Sequence, residues 1–256
     1  MVQYKIHEQG DGLPLVMLHG MMGAPENWLG VFPHLPPTCR SIALRFPFFD
    51  NGQILNSVES ITEYTERFLE DADLRACVLC GNSLGGHVGL NLAVERPELV
   101  KGLVLTGSSG LFEKSFSVVG KKPDRQWFHD KMSEVFCDPV HVTDEMVDEV
   151  MGTLRIRRNI RTLVQMAKSA KRDNVSERLK QIACPTLLIW GREDRVTPPP
   201  VAEEFHTLIP NSELVWVDRC GHAAMMEHPR QFGEIVARWW ARKIEPDSPP
   251  AAGATC

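Results

Sequence analysis

The sequence predicts an α/β domain, in which helices flank a mostly parallel sheet, from two features of its pattern. Short apolar runs that end near glycine alternate with segments in which apolar residues recur every three or four positions. Such alternation is typical of βα units, because a buried parallel strand is apolar on both faces and a helix beside it on only one. At 256 residues, the chain is long enough to bury the core of one such domain with an insertion.

The predicted strands are apolar runs of four to six residues. They cover 15–18, 41–44, 76–80, 100–105, 186–190 and 213–217. The predicted helices between them each have one apolar face. They cover 58–69, 84–94, 201–208 and 229–240. In such a sheet the loops that follow the strands gather at one edge, where ligands bind.

A long insertion interrupts this alternation after the fourth predicted strand. It contains no convincing strand, whereas 145–154 and 160–167 have amphipathic helical patterns. The end of the chain is proline-rich and lacks periodicity, which predicts disorder. The predicted division is a core of 1–110 and 182–243, a helical insertion of 111–181 and a tail of 244–256.

The composition is that of a globular protein without a nucleic-acid partner. Hydrophobic residues make up 43% of the chain and charged residues 24%, and the formal net charge is only -5. The start lacks a basic region followed by an apolar core, and no uncharged run approaches the ~18 residues that cross a bilayer. We therefore expect a soluble, cytoplasmic protein with no membrane span.

Seven scattered cysteines suit reduced thiols better than a disulfide framework. Cys77 and Cys80 form a C-x-x-C inside a predicted strand. Residues three apart on a strand point to opposite faces, so we expect buried structural thiols here and not a shared metal site.

Ser83 is the predicted nucleophile. It lies in the segment 81–86, Gly-Asn-Ser-Leu-Gly-Gly, between a predicted strand and a predicted helix. In that context the G-x-S-x-G pattern forms a sharp, strained turn that exposes the serine at the edge of the sheet. The pattern alone is common, and its placement between strand and helix makes it specific.

A serine hydroxyl needs a base, and the base needs a third group to orient it. Asp194 follows the predicted strand 186–190, and His222 follows the predicted strand 213–217, so both reach the edge that bears Ser83. Taken singly, Asp194 could be a turn carboxylate and His222 a loop imidazole. The order Ser, Asp, His favours a triad with Asp194 as the acid and His222 as the base. Glu193 is the rival acid.

An oxyanion hole needs backbone N–H donors near the nucleophile. We expect one from Leu84, at the positive end of its helix, and one from Met21, in the glycine-containing loop after strand 15–18. This loop could also be an ordinary glycine-rich βα turn. We expect the side chain of His19 to orient the loop and not to take part in chemistry.

These motifs resemble the α/β-hydrolase superfamily, in its esterase-like branch with a serine nucleophile. The matching segments are His19-Gly20, 81–86, 191–194, Gly221-His222 and Glu227-His228-Pro229. The resemblance spans about residues 2–242 and implies that the insertion 111–181 is a helical cap that covers the site and decides specificity. It also implies chemistry without a cofactor. The chain lacks the H-E-x-x-H, G-x-G-x-x-G and P-loop motifs, which agrees with this implication.

Candidate substrate-binding residues lie in the insertion. Arg155 and Arg158 belong to a basic stretch that could bind a carboxylate, although a solvated helix face is the simpler interpretation. Trp127 and Phe128 could line an apolar pocket or merely pack the insertion onto the core. Further apolar candidates of the same kind are Phe112, Phe116 and Met132.

The sequence therefore predicts hydrolysis of a small or medium carboxylic ester, or another acyl substrate, through an acyl-enzyme on Ser83. The alternative is a carbon-carbon bond hydrolase of ring-cleavage dienoates, whose nucleophile motif the segment Gly81-Asn82-Ser83 resembles. Those enzymes usually have tryptophan after the catalytic histidine, whereas this chain has Ala223. A non-catalytic receptor on the same fold is a third possibility. Nothing in the sequence indicates an oligomeric state.

Overall fold

The computed structural model describes residues 3–50, 55–112 and 124–245. Within these ranges seven strands form one sheet, in the order β1-β3-β2-β4-β5-β6-β7. The strands are β1 (Ile6–Gln9), β2 (Leu13–Leu18), β3 (Cys39–Leu44), β4 (Cys77–Asn82), β5 (Val100–Thr106), β6 (Thr186–Gly191) and β7 (Ser212–Val217). β1 pairs antiparallel with β3 at the edge, and every other pair is parallel.

The core helices follow the strands in alternation. They are α1 (Val58–Asp71), α2 (Leu84–Glu95), α6 (Pro199–Leu208), α7 (Ala224–Glu227) and α8 (Pro229–Lys243). All six predicted strands and all four predicted core helices are confirmed, with ends that differ by a few residues. The edge strand β1 was not predicted because three of its four residues are exposed and the strand has no apolar run.

Two apolar clusters cover the two faces of the sheet. Alternate residues of β4 divide between them: Cys77 and Leu79 belong to one cluster, and Val78 and Cys80 to the other. Cys77 and Cys80 are therefore buried on opposite faces, as the strand period requires. Burial raises the pKa of the Cys77 thiol to about 12, which keeps it protonated and unreactive.

The described part of the insertion, 111–112 and 124–181, contains helices and no strand. Its α-helices are α3 (Arg125–Ser133), α4 (Asp144–Leu154) and α5 (Arg157–Arg172). The side chains of Asp124 and Thr143 accept N–H bonds at the starts of α3 and α4, which satisfies helix ends that would otherwise lack partners. Helix α5 packs on the core through Met166 and Ala170 and exposes most of its basic residues.

The predicted tail 244–256 is described only at its first two residues. Ile244 is buried against the core, and the carboxylate of Glu245 accepts a hydrogen bond from Thr38 Oγ1 at 2.7 Å. Residues 246–256 lie outside the described ranges. None of the helices in those ranges is long and apolar enough to span a bilayer.

Candidate active site

Ser83 lies between the last residue of β4 and the first residue of α2. Its φ of 53° and ψ of -118° are a strained backbone conformation for a residue with a side chain. Glycine is required nearby, since a Cβ on Gly81 would lie 2.4 Å from the Gly85 carbonyl group and one on Gly85 only 2.1 Å from the oxygen of Leu18. The turn thus has the sharp, strained form that the sequence predicts, and we call residues 81–86 the nucleophile elbow.

His222 and Asp194 meet at the carboxyl ends of β7 and β6. The Nδ1 atom of His222 lies 2.9 Å from Oδ2 of Asp194, and both side chains are buried. Because a carboxylate accepts, Nδ1 carries the proton in this bond, which leaves Nε2 of the neutral ring with its lone pair. The imidazole is therefore held in the tautomer that a general base requires.

Asp194 makes three further hydrogen bonds. Its Oδ1 accepts the N–H groups of Val196 and Thr197 at 2.8 and 2.9 Å, and its Oδ2 accepts the Thr197 hydroxyl at 2.8 Å. Burial raises the pKa of Asp194, but the electrostatic interaction and hydrogen bond with His222 and the bonds from Thr197 outweigh this effect, so the pKa of Asp194 lies below its ordinary value. Asp194 is both a turn carboxylate and the partner of His222.

Glu193, the rival acid, points elsewhere. Its Oε2 accepts the N–H of Cys220 at 2.9 Å, and the residue is exposed. The structure therefore brings Asp194, and not Glu193, to His222. Thr197, which sequence reasoning missed, had a local signal, because a threonine three residues after an aspartate can return its N–H and hydroxyl to that carboxylate.

The loop that bears His222 is fixed against the elbow. The side-chain amide of Asn82 donates to the carbonyl oxygens of His222 and Thr106, both at 3.0 Å. The ring of His222 packs on Gly107, where φ is +53° and an added Cβ would lie 2.6 Å from Nδ1. Asn82 and Gly107 thus hold the loop of His222 at the end of β4, where Ser83 follows.

The loop after β2 also approaches Ser83. A Cβ on Gly20 would lie 3.3 Å from the Cβ of Ser83, so the backbone that leads to Met21 runs beside the nucleophile. Leu84 begins α2, and the N–H groups in the first turn of a helix have no partner within it. The predicted oxyanion donors, Met21 and Leu84, therefore flank Ser83, and their role stays a prediction.

His19 holds this loop from within the core. Its Nε2 accepts the N–H of Phe46 at 3.0 Å, so Nδ1 carries the proton and donates to the carbonyl oxygen of Gly20 at 2.8 Å. Burial lowers the pKa of the His19 imidazole to about 4, which keeps the ring neutral at pH 7. This is the orienting contact expected for His19.

The candidate substrate residues lie at different depths in the insertion. Phe128 is buried in the apolar cluster that also contains Ala223, and Trp127 packs edge-to-face on it with ring centroids 5.1 Å apart. Arg155 and Arg158 are exposed, and the guanidinium of Arg158 donates to the carbonyl oxygen of Phe49 at 3.0 Å.

The other apolar candidates differ in their exposure to solvent. Phe112 is exposed and Met132 half-buried, while Phe116 lies outside the described residues. That these side chains bind a substrate stays a prediction.

Fold and site together define the class of this protein, an α/β hydrolase. The chain belongs to the alpha/beta hydrolase family, whose sequence model matches residues 15–235. It is 30% identical to a 2-hydroxy-6-oxo-2,4-heptadienoate hydrolase of Pseudomonas putida, over 92% of this chain and 91% of that protein.

Two solved structures show the same fold over nearly the whole chain. One is MGS-MChE2, an α/β hydrolase enzyme from the metagenome of lagoon sediments at Mar Chica, Morocco. It is 34% identical, with a TM-score of 0.77, and the match covers 95% of this chain and 97% of that one. The other is CarC, a serine hydrolase involved in carbazole degradation, which is 26% identical with a TM-score of 0.77 and a match covering 93% and 95%.

Proposed function

We propose that this hydrolase cleaves carboxylic esters of small or medium size through an acyl-enzyme on Ser83. The main support for this proposal is the 2.9 Å hydrogen bond between His222 and Asp194. The side chain of Asn82, next to Ser83, binds the loop that bears His222. A serine in a strained turn, an imidazole that carries its proton on Nδ1 and a buried carboxylate that accepts this proton's hydrogen bond are the parts that acyl transfer requires.

In the proposed reaction, Ser83 Oγ bonds to the ester carbonyl carbon while its proton passes to Nε2 of His222. The negative charge that develops on the carbonyl oxygen is stabilised by the N–H groups of Met21 and Leu84. Collapse of this intermediate breaks the bond to the alcohol oxygen, which takes the proton from His222. Water then attacks the acyl-enzyme by the same steps in reverse order and releases the acid.

Hydrolysis of a dienoate carbon-carbon bond is the second candidate, because a relative that is 30% identical is named for that substrate class. Two observations favour the ester. Ala223 follows His222, where an aromatic wall is expected for ring-cleavage dienoates. Both candidate partners for a dienoate carboxylate, Arg155 and Arg158, are exposed, and Arg158 already binds a backbone carbonyl.

The test is a panel of p-nitrophenyl esters from acetyl to decanoyl, with a ring-cleavage dienoate, on wild type and Ser83→Ala. Removing the nucleophile should lower ester kcat by roughly 10⁴-fold or more. Ser109→Ala is the matched control, because it removes another buried hydroxyl near the elbow, and it should change kcat by less than about threefold.

Each other outcome has a definite meaning. Dienoate cleavage far above ester cleavage, lost in Ser83→Ala, would favour the second candidate. Turnover that Ser83→Ala does not affect would contradict the mechanism. Labelling of Ser83 by a fluorophosphonate without turnover of any substrate would favour a receptor.

A further inference from the structure

Glu227 lies five residues after His222, and its carboxylate is buried. One oxygen, Oε1, accepts the N–H of Gly221 at 2.7 Å, and the other, Oε2, accepts the N–H of Cys137 at 2.7 Å. Gly221 directly precedes His222, the proposed base. Cys137 belongs to the insertion and lies 90 residues before Glu227 in the sequence. A single carboxylate therefore binds the two segments together.

The same two segments also touch through their backbones. The N–H of His222 donates to the carbonyl oxygen of Val135 at 2.7 Å. A Cβ on Gly221 would lie 2.7 Å from both Val135 O and Cys137 N, so only glycine permits this approach. We call residues 135–137 of the insertion the bridging segment.

The backbone of His222 is thus held on two sides. Its N–H is bound by the bridging segment, and its carbonyl oxygen by the side chain of Asn82 in the elbow. The ring position follows from these contacts and from the bond to Asp194. Because Glu227 also binds the bridging segment, a movement of that segment would act on the loop that bears His222.

A carboxylate suits this position for a chemical reason. Two N–H donors converge on it, and each of its oxygens accepts one. Glutamine has nearly the same shape but only one acceptor oxygen, so its amide group would face one of the N–H donors. A buried N–H without an acceptor is destabilising and favours separation of the two segments.

We propose that Glu227 is a positioning residue that couples the bridging segment of the insertion to the catalytic base His222. This inference rests on the proposed function of Ser83 and His222. It assigns the insertion a task besides the covering role that the resemblance implies, since its backbone helps to set the geometry in which the base accepts a proton. Glu227 itself does not touch the reacting atoms.

The first experiment compares wild type, Glu227→Gln and Glu193→Gln. Each is assayed with a p-nitrophenyl ester for kcat and KM, and with a fluorophosphonate for the rate and the final extent of serine labelling. Glu193→Gln is the matched control, because Glu193 also accepts a main-chain N–H from this loop but is exposed and does not hold His222. Assays are run well below the melting temperature of each variant.

For Glu227→Gln we expect kcat and the labelling rate to fall about tenfold, because small misplacements of a catalytic group are costly. KM should stay within about twofold, and labelling should still reach completion, which shows that the elbow is folded. If Glu227 had only a structural role, Glu227→Gln would lower the melting temperature and leave kcat and the labelling rate at wild-type values, which would overturn the proposal. Glu227→Gln that is labelled and turns over at the wild-type rate overturns the coupling. Wild type that is not labelled at all overturns the proposed function instead.

Hydrogen exchange on the wild-type chain gives a test that needs no variant. If Glu227 joins the two segments, the amides of Cys137, Gly221 and His222 should exchange with similar, slow rates, because they open in one step. Exchange at Cys137 that is a hundredfold or more faster than at Gly221 would show that the bridging segment moves independently and would overturn the inference.

Discussion

The α/β core and the helical insertion contribute to the site in different ways. The core supplies side chains: Ser83, Asp194 and His222 follow β4, β6 and β7, and each is held by buried hydrogen bonds or a strained turn. The described part of the insertion supplies backbone: the carbonyl oxygen of Val135 accepts the N–H of His222, the proposed base. Catalytic side chains at strand ends can be predicted from a sequence by residue type and position. Backbone contacts between distant segments cannot be predicted in this way.

The largest effect should follow loss of the acid in the core. Asp194→Asn keeps the size of the side chain but places an amide group opposite Nδ1 of His222, which favours the wrong tautomer. We expect ester kcat to fall by about 10⁴-fold with little change in KM. Steady-state kinetics measure both.

Glu193→Gln is the control for this change, because the neighbouring carboxylate binds Cys220 and not His222. Its kcat should stay within about twofold of wild type. A larger loss in Glu193→Gln than in Asp194→Asn would reverse the assignment of the acid.

The second effect concerns stability and lies in the loop after β2. The pKa of His19 is lowered from 6.5 to about 4 by burial, so protonation of His19 favours the unfolded chain. The stabilisation from the neutral ring is complete above pH 6.5 and is lost as pH falls towards 4, by about 3 kcal/mol in total. Urea titrations at several pH values measure this free energy of unfolding.

His19→Gln supplies the comparison, because glutamine does not titrate. The variant should be less stable than wild type at pH 7, and its free energy of unfolding should depend less on pH between 6.5 and 4. An unchanged slope in that interval would show that His19 is not the group responsible.

The predicted core agrees with the structure because its signals are local. A buried strand needs an apolar run, a helix on the sheet needs an apolar stripe, and the elbow needs glycine at 81 and 85 to avoid contact with backbone. Each of these requirements produces a recognisable pattern within a few residues. The strand β1 shows no such pattern, because an exposed edge strand such as Ile6–Gln9 need not be apolar.

The residues missed at the site act across long distances in sequence. Asn82 binds the carbonyl oxygen of His222, 140 residues away, and Glu227 binds Cys137, 90 residues away. Neither spacing follows from a helix or strand period, and the acceptor or donor on the other side is backbone, which any residue provides. The sequence could name these residues as parts of motifs but not assign their partners.

The third prediction probes such a backbone contact in the core. Gly107→Ala adds a Cβ that would lie 2.6 Å from Nδ1 of His222, at a φ of +53°. The ring must move to relieve this clash, and misplacement by about 1 Å costs about 10²-fold in kcat. Ester kinetics measure the loss, and a kcat within threefold of wild type would show that the ring does not rest on Gly107 as described.

The smallest effect is expected in the insertion, from the same substitution at Gly152. This glycine lies inside α4, and among the described residues no atom beyond its chain neighbours and its own helix backbone lies within 4 Å of the Cβ that alanine would add. Alanine forms helix more readily than glycine, so Gly152→Ala should raise the free energy of unfolding by about 0.5–1 kcal/mol and leave ester kcat within about twofold.

Thermal melting and ester kinetics on Gly107→Ala and Gly152→Ala measure the same substitution in the two regions. The methyl group added at Gly107 should displace His222 in the core, whereas the one added at Gly152 should only stiffen a helix of the insertion. A kcat for Gly152→Ala that falls as far as that of Gly107→Ala would mean that α4 also sets the geometry of the base. The insertion would then contribute more to catalysis than the backbone of residues 135–137.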